Sequence, residues 1–233
     1  MENKLTFSDF VMIKLDAENK SIKLRNGFEL FVDTSFDPEK HMTVTGTIYG
    51  LPSRLSFTGQ PNIGMPWDCP MEARYGDGVI CHYLAIHNAL KPENRRYVLE
   101  GEDRYVLIPY STIFCLVREG NITPINGYVL IEPCSNPMIE RQKERMAKLG
   151  LEMVKLNDTT KDQCNYGIVR YIGTANKRYV DDGASDEGVD IAVGDTVVIR
   201  KTNDIPLQYN MHAKIDDGKL YWRCQRRNIF ARL

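Results

Sequence analysis

The chain matches itself at a fixed distance, and this constrains its fold more than any single motif does, because a repeated pattern implies a repeated structural unit. Phe10-Val11-Met12-Ile13-Lys14 and Tyr128-Val129-Leu130-Ile131-Glu132 both open on an aromatic residue and close on a charge, and they stand 118 residues apart. Gly76-Asp77-Gly78-Val79-Ile80 and Gly194-Asp195-Thr196-Val197-Val198 are also 118 apart. Ile113-Phe114-Cys115-Leu116-Val117 and Ile229-Phe230-Ala231-Arg232-Leu233 end the two copies at a spacing of 116. Three landmarks in one order at nearly one offset predict tandem copies, residues 1–120 and 121–233. The seam is placed at residues 119–126, where Gly120, Asn121, Pro124 and Asn126 interrupt regular structure.

Within each copy the pattern is β. Residues 11–15, 44–49, 79–83, 105–108 and 113–117 are short runs of branched and aromatic residues separated by turn formers, among them Gly101-Glu102-Asp103. Residues 128–131, 168–172, 196–199, 220–223 and 229–233 repeat the arrangement, and Asp216-Asp217-Gly218-Lys219 reads as a hairpin turn. Many short strands at this spacing predict an all-β chain in which each copy is a small barrel or sandwich. One segment departs from the pattern. Asn136 suits a helix cap and Pro137 a first helical position. Ile139, Gln142, Met146, Leu149 and Met153 recur at steps of three and four, and Gly150 is placed to weaken or end that helix. Such a helix either packs on its own barrel or serves a partner.

Charge and cysteine content exclude several classes. Thirty Lys and Arg against 31 Asp and Glu leave no basic surplus to recruit nucleic acid. No apolar stretch reaches the roughly 20 residues that span a bilayer, and residues 1–10 lack the apolar core of a signal peptide, so a cytoplasmic location is expected. The six cysteines, at 69, 81, 115, 134, 164 and 224, form no Cys-x-x-Cys pair and read as reduced thiols. His41, His82, His87 and His212 have no metal-ligand spacing. No nucleophile elbow, P-loop, zinc-protease or dinucleotide motif is present, so no catalytic residue, metal or cofactor is expected.

Taken in order, the landmarks resemble the co-chaperonin family (chaperonin-10, GroES-like). In that family an opening β-run is followed by a mobile loop, a strand ending in Gly, a roof hairpin, a Val-Gly-Asp-x-Val-Val entry, a hairpin and a closing strand. The second copy is similar throughout. Tyr128-Val129-Leu130-Ile131 opens it, Gly167-Ile168-Val169-Arg170-Tyr171-Ile172-Gly173 follows the loop, and Val193-Gly194-Asp195-Thr196-Val197-Val198-Ile199 is the nearest match. The first copy is similar at residues 10–15, 46–50 and 75–80. Gly76, Asp77, Gly194 and Asp195 read as fold determinants, since Gly supplies the turn and Asp bonds nearby backbone N–H groups.

The resemblance implies two GroES-like barrels, with a helical insertion in the loop of the second, and a non-catalytic lid for a GroEL-like chaperonin ring. Carried over by position, the partner-binding loops fall at Ile22, Leu24, Gly27, Phe28 and Leu30 in the first copy. In the second they fall at Leu149, Gly150, Leu151, Met153 and Val154. Both depart from the family tip, because Glu29 and Glu152 stand where an apolar residue is usual. Core strand positions are the other reading of Phe28, Leu30 and Val32. The roof segments also differ: residues 51–71 are proline-rich and apolar, whereas 176–190 are acidic. Lids of the family are typically rings of seven single-domain subunits, and two-domain subunits cannot fill seven places evenly. A ring of three or four chains, a mixed ring with a related single-domain subunit, or loss of ring formation is therefore expected. Two other functional classes stay open: an assembly scaffold, for example of a virus particle, and a module binding peptides or small molecules.

Overall fold

The computed structural model describes residues 9–17, 21–23, 27–31, 42–53, 55, 67–68, 70–151, 164–175, 178–179, 190–200 and 221–233. In chain order the strands and helices are β1 (Phe10–Leu15), β2 (Ser21–Lys23), β3 (Glu29–Phe31), β4 (Thr45–Gly50), β5 (Trp67–Asp68), β6 (Gly78–Cys81) and α1 (Tyr83–Leu90). Then come β7 (Tyr97–Glu100), β8 (Asp103–Pro109), β9 (Ile113–Arg118), β10 (Asn121–Pro124), β11 (Tyr128–Cys134) and α2 (Pro137–Lys148). The chain closes with β12 (Cys164–Ile172), β13 (Arg178–Tyr179), β14 (Thr196–Arg200), β15 (Trp222–Gln225) and β16 (Ile229–Arg232). The protein is predominantly β, and none of its described helices is long and apolar enough to cross a membrane.

The chain divides into two compact units, Met1–Asn126 with Gly173–Asp186, and Gly127–Ile172 with Glu187–Leu233. Unit 1 holds an antiparallel sheet ordered β10-β9-β6-β4-β1-β8-β7. Alternation drives its core side inward: Val11, Ile13 and Leu15 of β1 are buried while their neighbours are only half covered. They join Ile48, Val79, Val106, Ile108, Ile113 and Leu116 in one cluster, with Ile86 and Ala89 of α1 packed against them. Unit 2 holds a sheet ordered β15-β11-β12-β14-β16. Among the described residues its core is built on Val129, Ile131, Val169, Val197, Ile199, Cys224 and Ile229.

Strand for strand, the order β8-β1-β4-β6-β9 of unit 1 is the order β15-β11-β12-β14-β16 of unit 2. Phe10–Leu15 and Tyr128–Cys134 thus occupy corresponding places. Irregularities fall at the same spacing as the sequence landmarks. The register of β1 on β4 shifts between Met12 and Ile13, and that of β11 on β12 between Leu130 and Ile131. The register of β6 on β9 shifts between Ile80 and Cys81, and that of β14 on β16 between Val198 and Ile199. Extra residues at such positions bend a strand and are hard to move without repacking. Next to the first bulge, each unit needs a glycine. A Cβ on Gly46 would collide with the Lys14 carbonyl oxygen and Ile13 Cγ2, and one on Gly167 with Ile131 Cγ2 and the Glu132 carbonyl oxygen.

The sequence expectations require correction in three places. The run at 79–83 is a strand only to Cys81. The next residue, His82, accepts a 3.1 Å hydrogen bond from Leu84 N through Nδ1 and caps α1. The expected break at 119–126 is instead a hairpin: Glu119 (φ 50°) and Gly120 (φ 79°) form the turn, and β10 pairs back on β9. Positive φ at both central residues suits a two-residue hairpin. Ile125 and Asn126 are buried there, with Asn126 Nδ2 donating to the carbonyls of Tyr110 and Ile113. Lastly, β7 has no counterpart among the expected strands; it forms a hairpin with β8 across the Gly101-Glu102 turn.

Candidate functional site

Each unit sends an excursion out between its first two corresponding strands, β1 and β4 in unit 1, β11 and β12 in unit 2. These are the segments to which the sequence assigns partner binding. The unit 1 excursion contains a separate two-stranded hairpin, with Ser21 opposite Phe31, Ile22 opposite Leu30 and Lys23 opposite Glu29. Ile22 and Leu30 are therefore strand residues, but of this hairpin and not of the seven-stranded sheet. Gly27 takes φ 84°, with nothing near the position a Cβ would occupy, and Phe28 is 70% exposed. Leu24 and Val32 lie outside the described residues.

The unit 2 excursion contains α2. Asn136 accepts a 2.9 Å bond from Met138 N and Pro137 starts the helix, as the residue types require. Its far end is closed by a Schellman arrangement. Gly150, at φ 69°, donates to Ala147 O, and Leu151 N donates to Met146 O, both at 3.0 Å. The helix therefore stops at Lys148, with Gly150 at its end as its place in the sequence suggests; Met153 and Val154 lie outside the described residues. Ile139 and Met146 are half-buried, while Met138, Leu149 and Leu151 are 68, 72 and 52% exposed. Arg141, Arg145 and Lys148 are exposed beside them, and Lys143 pairs with Glu140 at 2.8 Å. No residue of α2 is fully buried, so the helix is only lightly packed and keeps an apolar stripe with a cationic border.

The Gly-Asp landmarks hold the turns before β6 and β14. Gly76 N donates to Ile48 O, Ile48 N to Asp77 O, and Arg74 N to Asp77 Oδ2. Gly194 N donates to Val169 O, Val169 N to Asp195 O, and Ala192 N to Asp195 Oδ2. Gly76 and Gly194 adopt φ 83° and 95°, where a side chain would be strained. Burial would raise the Asp77 carboxyl, but the Arg118 guanidinium and the Arg74 N–H outweigh it and hold the group below its ordinary value. Arg118 donates to both Asp77 oxygens, at 2.8 and 2.7 Å, and to the Glu72 carbonyl. Burial pushes the Glu72 carboxyl up, against the Thr174 hydroxyl that donates to it.

Burial pushes the Cys81 thiol up, and the Cys224 thiol up to about 12, so neither is a ready nucleophile. Within unit 1 the two-residue strands β5 and β13 pair in a short ladder: Trp67 pairs with Tyr179 and Asp68 with Arg178. No residue pattern predicted that pairing. Helix α1 has a legible signature, with Ile86 and Ala89 as its buried face and His82 as its cap, which the β pattern of 79–83 overlaps. No protein-family model matches the chain, and no curated protein matches it significantly.

Proposed function

We propose that the chain is a co-chaperonin built from two GroES-like barrels, a non-catalytic lid that binds a GroEL-like chaperonin ring in the cytoplasm through the two excursions. The observation that carries this reading is the position of the excursions. In both units they leave the sheet between the same two strands, and both expose apolar side chains: Phe28 in one, Leu149 and Leu151 in the other. Large exposed apolar residues on a short protruding segment are what a docking loop needs. Single-loop affinity is modest, because ordering a loop costs entropy, and several loops on one assembly recover strength by multivalency. Rings of three or four chains, or a mixed ring with a related single-domain subunit, would supply it.

The test is a pull-down with a chaperonin ring, with and without ATP. Nucleotide-dependent capture supports the reading, and no capture in either state removes it. A scaffold role is the second reading. It is favoured by the dissimilarity of the excursions, a hairpin in unit 1 and a helix in unit 2, since repeated docking on identical sites selects for like loops. Co-purification with an assembly, with chaperonin ignored, would support the scaffold instead.

A further inference from the structure

At one end of the unit 1 sheet, β7 has no strand beyond it among the described residues. Val98 and Leu99 are 55 and 61% exposed, although strand residues of this kind are usually covered. At the opposite end, β10 ends in Pro124 and exposes Asn121 and Thr123, the polar and proline residues that blunt an edge. β7 carries no proline, and charges stand only at its two ends, Arg96 just before it and Glu100 as its last residue, with Val98 and Leu99 between them.

The hydrogen-bond phase of β7 is fixed by its other neighbour. Leu107 N donates to Arg96 O at 2.8 Å, and the register continues as Tyr97 opposite Val106, Val98 opposite Tyr105, Leu99 opposite Arg104 and Glu100 opposite Asp103. In an antiparallel pair, alternate residues turn their N–H and C=O groups toward the partner strand. Arg96, Val98 and Glu100 therefore face β8, and Tyr97 and Leu99 present their backbone groups to the open edge.

We propose that β7 is a self-association edge, on which a second copy of this chain pairs its own β7 antiparallel about a two-fold axis at Val98. The register follows from the phase. Tyr97 comes opposite Leu99 of the second copy, and these are the residues whose backbone donors and acceptors face the open edge, so both hydrogen bonds of that pair form, twice by symmetry. Val98 faces its own counterpart in a non-hydrogen-bonded pair. Arg96 comes opposite Glu100 of the second copy, so opposite charges meet on both sides of the axis. A strand in this phase is self-complementary, as an isologous contact must be. Stable interfaces bury about 1,200–2,000 Å², far more than one short strand offers. The dimer is accordingly weak and concentration-dependent, and it does not depend on chaperonin binding.

Sedimentation velocity on the full chain from micromolar to millimolar concentration, with four variants, tests the proposal. Leu99→Pro removes an N–H that points to the open edge and leaves pairing with β8 intact; it should stay monomeric where the wild type dimerises. Val98→Cys should form a disulfide-linked dimer on mild oxidation, because non-hydrogen-bonded pairs bring Cα atoms to about 4.5 Å. Glu100→Cys, far from its own counterpart, should not. Glu100→Arg should weaken the dimer at least about tenfold, and adding Arg96→Glu should restore it. Ring contacts through other edges would not bring residue 98 of two copies together, so the cross-link separates the two kinds of assembly. Should Leu99→Pro unfold the protein, the cross-link and the charge exchange still decide. A Val98→Cys protein that cross-links no faster than Glu100→Cys, or a charge exchange that restores nothing, overturns the proposal.

Discussion

The turn before β6 and the turn before β14 use the same backbone hydrogen bonds, the same glycine conformation and the same Asp-to-N–H bond, yet their aspartates are differently supported. Asp77 is 8% exposed and holds Arg118 through both oxygens. The side chain of Asp195 is 24% exposed, and Arg232 stands 3.6 Å from it while lying nearer Asp190 at 3.3 Å. The arginines come from non-corresponding positions, since Leu116, not Arg118, occupies in β9 the place that Arg232 takes in β16. The turn thus belongs to both units, and each supports its aspartate with an arginine of its own, through two close hydrogen bonds in unit 1 and one longer ion pair in unit 2.

The largest expected effect tests what the units share. Gly46→Ala and Gly167→Ala each force a methyl group into a carbonyl and an isoleucine, which should destabilise the affected unit by about 3 kcal/mol. Chemical denaturation of each variant checks this, and a tolerant glycine in one unit would break the correspondence there.

A smaller effect should separate the units. Asp77→Asn removes charge-assisted bonds at a mostly buried site and should cost about 2 kcal/mol. Asp195→Asn, at a looser and wetter pair, should cost about 0.5 kcal/mol or less. The difference carries a pH signature. Asp77 has a folded-state pKa below its ordinary value, so its contribution is full above the usual carboxylate range and is lost as pH falls through the folded value. Thermal melts at descending pH should show this loss in the wild type and a flatter profile in Asp77→Asn.

The smallest effects lie in α2. Asn136→Ala removes the N-cap and Gly150→Ala puts a side chain at φ 69°; each should cost about 1 kcal/mol. With no buried residue on the helix, the loss should appear as faster amide exchange in residues 137–151 and leave the global melt almost unmoved.

How far the fold was legible depended on how local its causes are. The strands that repeat were visible because alternation and the Gly-Asp turn recur at one offset, and α2 was visible because Asn136, Pro137 and Gly150 each act within a turn of chain. Two features were hidden for opposite reasons. Helix α1 begins directly after a strand, and Tyr83 reads as its continuation until His82 is seen to cap. The hairpin at 119–120 places Glu at positive φ, where Asn or Gly would have signalled a turn; tertiary pairing of β10 with β9 overrides that preference. In the candidate site, the position of each excursion was legible but its form was not. The sequence of residues 21–31 supports both a loop and a core strand, and the structure gives a hairpin outside the main sheet.

Binding to a GroEL-type ring in the presence of ATP, measured for the wild type and for two loop variants, bears most directly on function. Phe28→Ser with Leu30→Ser alters one excursion, and Leu149→Ser with Leu151→Ser alters the other; Phe28, Leu149 and Leu151 are exposed. A co-chaperonin acting through these segments should bind the ring only with nucleotide and lose at least about tenfold in affinity, roughly 1.4 kcal/mol, in each variant. Wild-type binding that is absent, or that survives both variants unchanged, would contradict it.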